Sequence, residues 1–348
     1  MSKCNKFTVL RARIKSGSVS KMWNFAKVIH KEKKYPTFLI FLDMGFCILK
    51  YGIGYQEYRG YNFDGKSPRL RRTFMTMNHN IALTRELNQK EKNNILKDKL
   101  LFMETYKEFI GREFLDLRKT SLEDFEAFVN RHEYIIAKPF DNFGGLGIRK
   151  YTKNEITEGG PSNIKTVYDD LLKNNVVDIE EGITQHPEMS RLYPYSINTL
   201  RIATIRGKNG PDFFYAILRM GVNKSFLDNA TSGGIYTSVD KDGTIRFDAY
   251  AEKKGIYYDK HPDTGVIFKE FKVPMMKEAI ELTKKAALLV PELGYIGWDV
   301  AISDKGPVIV EGNDIPGYDM PQNAAWHPDG KGILPDIEKI LGHKCPKL

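Results

Sequence analysis

Cysteine is scarce in this chain, long apolar runs are missing, and beyond the first forty residues neither charge is in excess. The three cysteines, Cys4, Cys47 and Cys345, show no paired spacing, which excludes a disulfide framework and a zinc site and suits a reducing cytoplasm. The start, MSKCNKFTVLRARIKSG, lacks the apolar core of a signal peptide. The longest apolar run, TFLIFLDMGFCIL at 37–49, is 13 residues long and contains Asp43. A bilayer span takes about 20 apolar residues, so this run is expected to be a buried element. Internal repeats, low-complexity segments and recognisable nucleophile motifs are also absent.

What is present is ordinary globular composition. Hydrophobic residues make up 41% and charged residues 28% of 348, enough for a sizeable core and two or three subdomains. Charge is unevenly placed. Residues 1–40 hold ten Lys or Arg and one Glu, a net of +9 that equals the charge of the whole chain. With Trp23 and Phe25 among them, these residues form either a solvated basic helix or a loose contact with anionic membrane at the inner face. The neutral remainder and the lack of a nucleic-acid motif argue against nucleic acid.

Along the chain, residues 1–95 read as a mostly helical N-terminal region. SLEDFEAFVNRH (121–132) has Ser121 as N-cap with Asp124 three residues on. EYIIAKPF (133–140) is a strand, DNFGGLG a loop and IRKYT the return strand. NIKTVYDDLLKNN (163–175) has helical spacing, and PMMKEAIELTKKAALLV (274–290) is a helix with Pro274 in its first turn. Antiparallel strands with helices on one side give an α+β class.

Two stretches carry chemistry. YIGWDVAISDKGPVIVEGN reads as two strands joined at Asp304-Lys305-Gly306, a three-residue loop that pairs Ser303 with Pro307 and Asp299 with Glu311. Like charges opposed across strands destabilise, and a cation between them removes the conflict. A two-residue loop, the alternative, shifts the pairing by one. Glu311 and Asn313 share a strand face in either case. In AKPFDNFGGLGIRKY, Gly144, Gly145 and Gly147 allow close approach of backbone amides to a ligand beside Lys138, or make a simple hairpin turn. The loop joins two strands, so it is neither a P-loop nor a dinucleotide fingerprint. Arg201 and Arg219 on neighbouring strands need anionic partners, either the acids above or a bound phosphate or carboxylate. Asn229 in NATSGG is expected on the same face.

The order of these features resembles the ATP-grasp superfamily, and in particular the sugar-transfer-associated ATP-grasp family. The resemblance is carried by DKLLF (98–102), AKPFDNFGGLGI, SINTLRI, GGIYTSVDKDG, HPDTG (261–265), GWDVAI and VIVEGNDIPG, and runs from about residue 40 to the C-terminus. It implies two α+β subdomains gripping ATP, at about 96–190 around the glycine-rich loop and about 191–348 around the metal. Lys99 and Lys138 look like the ATP-contacting lysines, and DIEEGI, with Glu180, Glu181 and Ile183, like the adenine-binding segment. Arg219 resembles the arginine at the γ-phosphate or acyl phosphate, with Arg201 and Asn229 beside it. Asp299, Glu311 and Asn313 match ligands of two magnesium ions, with manganese as a substitute. The implied activity is an ADP-forming carboxylate–amine ligase acting through an acyl phosphate. Its expected substrates are a small-molecule or glycan-precursor carboxylate and an amine, in cell-surface polysaccharide biosynthesis. An ATP-grasp phosphotransferase would share every one of these residues. AEKKGIYYDKHPDTG (251–265) is a candidate substrate-contact region.

Overall fold

The computed structural model describes Thr8, Arg11, residues 18–140 and residues 147–348. Helices dominate before the first strand. Ser18 caps α1 (Val19–Lys33), its hydroxyl accepting from Lys21 N at 3.3 Å. Pro36 then starts α2 (Thr37–Tyr51), which folds back on α1. Their apolar faces, with Ala26, Ile29, Ile40, Met44 and Cys47, close on Tyr58 of α3 (Tyr55–Gly60) and on Phe63 and Phe74. The apolar run at 37–49 is therefore buried along one stripe only. Phe38, Leu39, Leu42, Phe46 and Leu49 are exposed, because a single partner helix cannot cover an all-round apolar surface. Helix α4 (Met77–Leu87) follows, and α5 (Lys99–Thr105) is capped by Asp98, whose Oδ1 accepts from Leu100 N and Leu101 N at 3.1 Å each.

The strands form two antiparallel sheets, as the α+β reading expects. The smaller contains β1 (Phe114–Asp116), β2 (Tyr134–Pro139), β3 (Arg149–Thr152) and β4 (Val176–Glu181), in the order β1-β4-β2-β3. Ser121 caps α6 (Leu122–Arg131), accepting from Asp124 N at 3.1 Å. α6 and α7 (Pro161–Lys173) cover one face of this sheet, where Phe125, Phe128, Ile135, Ala137, Ile164 and Ile179 pack together. Period-two alternation sends Lys138, Asp178 and Glu180 to the other face, with Lys138 directly opposite Asp178.

The larger sheet contains β5 (Leu200–Gly207), β6 (Gly210–Met220), β7 (Ile235–Ser238), β8 (Ala249–Ala251), β9 (Ile256–Tyr258), β10 (Tyr295–Ser303) and β11 (Gly306–Asn313), ordered β11-β10-β5-β6-β7-β8-β9. One face, with Leu200, Ile202, Leu218, Trp298 and Val300, is buried under α8 (Met276–Leu289). That helix starts later than its sequence suggests. Met275 takes a left-handed φ of 53°, so Pro274 lies outside the first turn. On the opposite face, α4 and α9 (Leu334–Leu341) cover one end around Ile205 and Tyr295, and an aromatic cluster with Tyr236 and Trp326 covers another. The ground between them stays open toward the smaller sheet.

The β10–β11 hairpin corrects the sequence reading in its loop and confirms it in its pairing. The loop is two residues, Asp304-Lys305, with Ser303 opposite Gly306. Unrelieved, that register would place Asp299 opposite Val310. A bulge between Asp299 and Val300 instead restores Asp299 opposite Glu311 and Gly297 opposite Asn313.

Candidate active site

Three paired residues on adjacent strands define the site. Arg201 on β5 lies opposite Asp299 on β10, and Asp299 lies opposite Glu311 on β11. Directly opposed side chains share a sheet face. Asn313 is two residues beyond Glu311, and Arg219 is two beyond Ile217, the partner of Arg201 on β6, so all five stand on the open face. Lys138, Asp178 and Glu180 of the smaller sheet look across at them. The result is a cavity of about 470 Å³ between the two sheets, whose wall also includes Lys99, Asn229 and Glu252.

Asp299 is the electrostatic centre. It is 2% exposed, accepts from Arg201 through Nε and through Nη2 at 3.2 Å, and forms an ion pair with Arg219 Nη2 at 2.8 Å. Burial alone would raise its pKa, but the two guanidiniums outweigh that and hold it below the usual carboxylate range. The arginines thus find the acidic partner that their place in the sheet demands. Glu311 has the opposite character. Its side chain is exposed in the open cleft, yet its carboxyl is deep enough to share a hydrogen bond with Asp299. Desolvation and the facing Asp299 carboxylate push it up to about 7. Of these influences, the facing charge is the one that outlasts solvent access.

The opposite wall is a second ion network. Glu180 binds Lys138 and also Arg112, whose Nε lies 2.6 Å from its Oε2. Burial would raise Glu180, but Arg112 and Lys138 bring it down to about 2. Arg112 also donates to Ile309 O at 2.8 Å and Val310 O at 3.0 Å, satisfying carbonyls beside the β11 bulge. Lys99 begins α5 and donates to Pro139 O at 2.6 Å; burial, then Lys138, lowers its pKa. Asp178 is 1% exposed and neither carboxyl oxygen has a hydrogen-bond partner, so burial and Glu180 drive it well above its ordinary value. The hydroxyl of Thr199 accepts from Arg219 Nη2 at 2.6 Å and donates to Asp228.

Lys99, Lys138, Glu180, Arg201, Arg219, Asn229, Asp299, Glu311 and Asn313 therefore meet in one cavity. Glu181 and Ile183 do not line it. Glu181 accepts from Glu113 N at 3.0 Å, and Ile183 O accepts from Tyr134 Oη at 2.6 Å. Gly147 is an exposed turn residue with φ 76°, off the wall; Gly144 and Gly145 lie outside the described residues. Three histidines, His186, His261 and His327, do not line the cavity either; they bond Glu188 N, Gly221 O and Pro321 O. Sequence reasoning missed Arg112, Asp178, Thr199 and Asp228, and reached Glu252 only as part of the 251–265 candidate contact region. Only the Asp178–Glu180 spacing, two acids on one face of an apolar strand, could have signalled its member.

Among the described residues, no group of three His, Cys, Asp or Glu is arranged for a metal ion. The available set is two carboxyls and an amide. Asn313 Nδ2 donates to Gly297 O at 3.2 Å, leaving its Oδ1 for a cation. An all-oxygen set with Glu311 crowded against Asp299 has the chemistry of a hard-cation site, so the residues fit magnesium.

Residues 78–340 match the profile of the family described as sugar-transfer associated ATP-grasp. No curated protein matches the chain. Among solved structures, the ATP-grasp ligase PsnB complexed with minimal precursor is 13% identical, with 67% of this chain and 56% of that chain covered and a TM-score of 0.39. D-alanyl-alanine synthetase A from Vibrio cholerae is 11% identical, with 73% and 62% covered and a TM-score of 0.40. N5-carboxyaminoimidazole synthase from Aspergillus clavatus, in complex with ADP and an aminoimidazole ribonucleotide, is 12% identical, with 74% and 54% covered and a TM-score of 0.41. The chain thus spans between 54% and 62% of the length of these three proteins.

Proposed function

The chain belongs to the sugar-transfer associated ATP-grasp family, and from that premise we propose that it is an ADP-forming ligase joining a carboxylate to an amine, with a glycan or its precursor among the substrates. The observation that carries this reading is the pairing of two walls in one cavity. Lys99 and Lys138 face Arg201, Arg219 and the Asp299–Glu311–Asn313 oxygens, and no Ser, Cys or His lines the cavity among the described residues. Such a site is built to neutralise and position phosphates. The divisions near residues 95 and 190 belong to the same reading, with one sheet on each side of the second.

In this reading Lys138 and Lys99 bind the ATP phosphates, Lys138 exchanging Glu180 for phosphate oxygens. Arg219 holds the transferred phosphoryl group, fixed by Thr199. Asp299, Glu311 and Asn313 hold magnesium, which when bound neutralises phosphate charge. The substrate carboxylate takes the γ-phosphoryl group to become an acyl phosphate, and an amine then displaces phosphate. Of the DIEEGI segment, Glu180, which lines the cavity, remains our assignment for the adenine side.

Hydroxylamine tests this. With ATP, magnesium and a panel of uronic acids and amino acids, an activated acid appears as its hydroxamate, with ADP and free phosphate. Lys138→Ala should slow hydroxamate formation about 10²–10³-fold, as loss of one preorganised charge contact does elsewhere. A stable phosphorylated product without amine or hydroxamate would identify a phosphotransferase instead, and AMP would reject both.

We also propose that the α1–α2 hairpin rests on an anionic bilayer. Among the described residues, no helix is long and apolar enough to cross a membrane. The stripe Phe38, Leu42, Phe46 and Leu49 is nevertheless exposed, with Lys50 Nζ over the Phe46 ring at 4.9 Å, and the same helical hairpin carries the exposed Lys21, Lys27, Lys31 and Lys34. Apolar residues flanked by cations suit insertion into an interface, each cation contributing about 1 kcal/mol near anionic lipid. Sedimentation with phosphatidylserine vesicles should fall sharply in Leu42→Glu and in high salt. Equal pelleting of wild type and variant would remove the idea.

A further inference from the structure

A second cavity, of about 360 Å³, lies between the N-terminal helices and the edge of the site. Its wall includes Glu57, Asn80, Glu252 and Asp319 but, among the described residues, no Lys, Arg or His. Glu252 and Asp319 also line the first cavity, so the two spaces meet at these carboxyls. No ion pair engages Glu252 or Asp319 among the described residues, although unpaired carboxyls this close repel each other. Asn80 supplies an independent sign. It is 0% exposed and its Nδ2 donates to Pro316 O at 3.1 Å, yet its Oδ1 has no hydrogen-bond partner. A wall offering acceptors and negative charge, without a cation of its own among the described residues, is complementary to an ammonium group.

We infer that this second cavity binds the amine co-substrate as a primary ammonium and presents its nitrogen, past Glu252, to the activated carboxyl in the first cavity. The inference rests on the ligase reading above. Glu252 also accounts for the protons. The ammonium gives one proton to the Glu252 carboxylate, and its freed lone pair attacks the carbonyl carbon of the acyl phosphate. The C–N bond forms, the C–O bond to phosphate breaks with its electron pair on phosphate, and the second proton leaves with phosphate. Burial, then the charges of Asp319 and Glu57, push Glu252 up to about 7, where a carboxyl can accept and release a proton near neutrality. Ile48, Met77 and Ile315 on the same wall favour a compact amine with some apolar surface.

Saturation-transfer NMR with the full-length protein, using ethanolamine, D-glucosamine and L-alanine methyl ester as probes and N-acetyl-D-glucosamine as the uncharged control, tests the site. At least one ammonium probe should bind, and the control should not. Glu252→Gln and Asp319→Asn should each weaken binding tenfold or more. Ile315→Trp should obstruct the cavity sterically, and because Ile315 is 50% exposed this change spares the core. Failure of all three amines to bind, or binding indifferent to the two carboxyl substitutions, overturns the inference. The hydroxamate assay keeps the two readings apart. Hydroxamate from wild type without ammonium binding leaves the ligase and removes the amine site. Carboxyl-dependent ammonium binding without hydroxamate from any acid removes the co-substrate role along with the ligase.

Discussion

Asp299→Ala should lower the unfolding free energy by about 3–5 kcal/mol, the loss seen when one partner of a buried ion pair is removed. Arg201 is 8% and Arg219 7% exposed; Arg201 pairs with this carboxylate, and Arg219 divides its guanidinium between it, Thr199 and Asp228. Without it, two like charges face each other with little water to screen them. Glu311 stands opposite and can supply part of the missing charge, so the loss should fall toward the lower end of that range. Asp299→Asn keeps an acceptor for one arginine and should cost less than the alanine change. Urea midpoints for the three proteins order the effects. A midpoint for Asp299→Ala matching wild type would show that the cluster is not the anchor its geometry describes.

Glu311→Gln should separate function from stability. Turnover with ATP and magnesium should fall below detection, because an amide cannot supply the carboxylate charge a hard cation needs. The fold should persist, since Glu311 is exposed at the cleft end of β11. The pH dependence has a definite sign. Glu311 is raised from an ordinary 4.5 to about 7, so between those values the folded chain holds a proton that the unfolded chain has released. Its contribution to stability is complete below pH 4.5 and disappears as pH rises through about 7. The substitution should therefore stabilise the metal-free protein at pH 8 and leave it little changed at pH 4.5. Thermal unfolding at both pH values decides the matter; destabilisation at pH 8 would mean that Glu311 contributes a contact, not a repulsion.

Much of the site was legible because its residues lie on strands with simple alternation. Glu311 and Asn313 had to share a face, and two arginines in a sheet centre had to find an anion. The route to the Asp299–Glu311 pair was less secure than its outcome. A three-residue loop was assumed, and the observed two-residue loop would have broken the pairing had the bulge not compensated. Nothing in Val308-Ile309-Val310 marks that bulge, since no Gly or Pro interrupts the run. Arg112 reaches its partners across 68 and 197 residues of chain, a separation that local patterns do not encode. The second cavity was hidden for the same reason: Asn80, Glu252 and Asp319 come from three distant segments. The apolar run at 37–49, expected as a buried element, buries only one stripe, because periodicity cannot tell one covered face from two.

Arg112 also has a mechanical meaning. One end of its guanidinium is tied to Ile309 and Val310 on the larger sheet, and the other to Glu180 on the smaller. It sits where the two jaws of a clamp would share a pin. Any rotation of one sheet against the other about this point moves nearby atoms through short arcs and distant ones through long arcs. Lys138 is bound to the pinned Glu180 and so stands close to this point. Arg149 on the outer strand, farther from the pin, sweeps the wider path. In the proposed ligase, such a rotation would open the cavity for a nucleotide while moving Lys138 least.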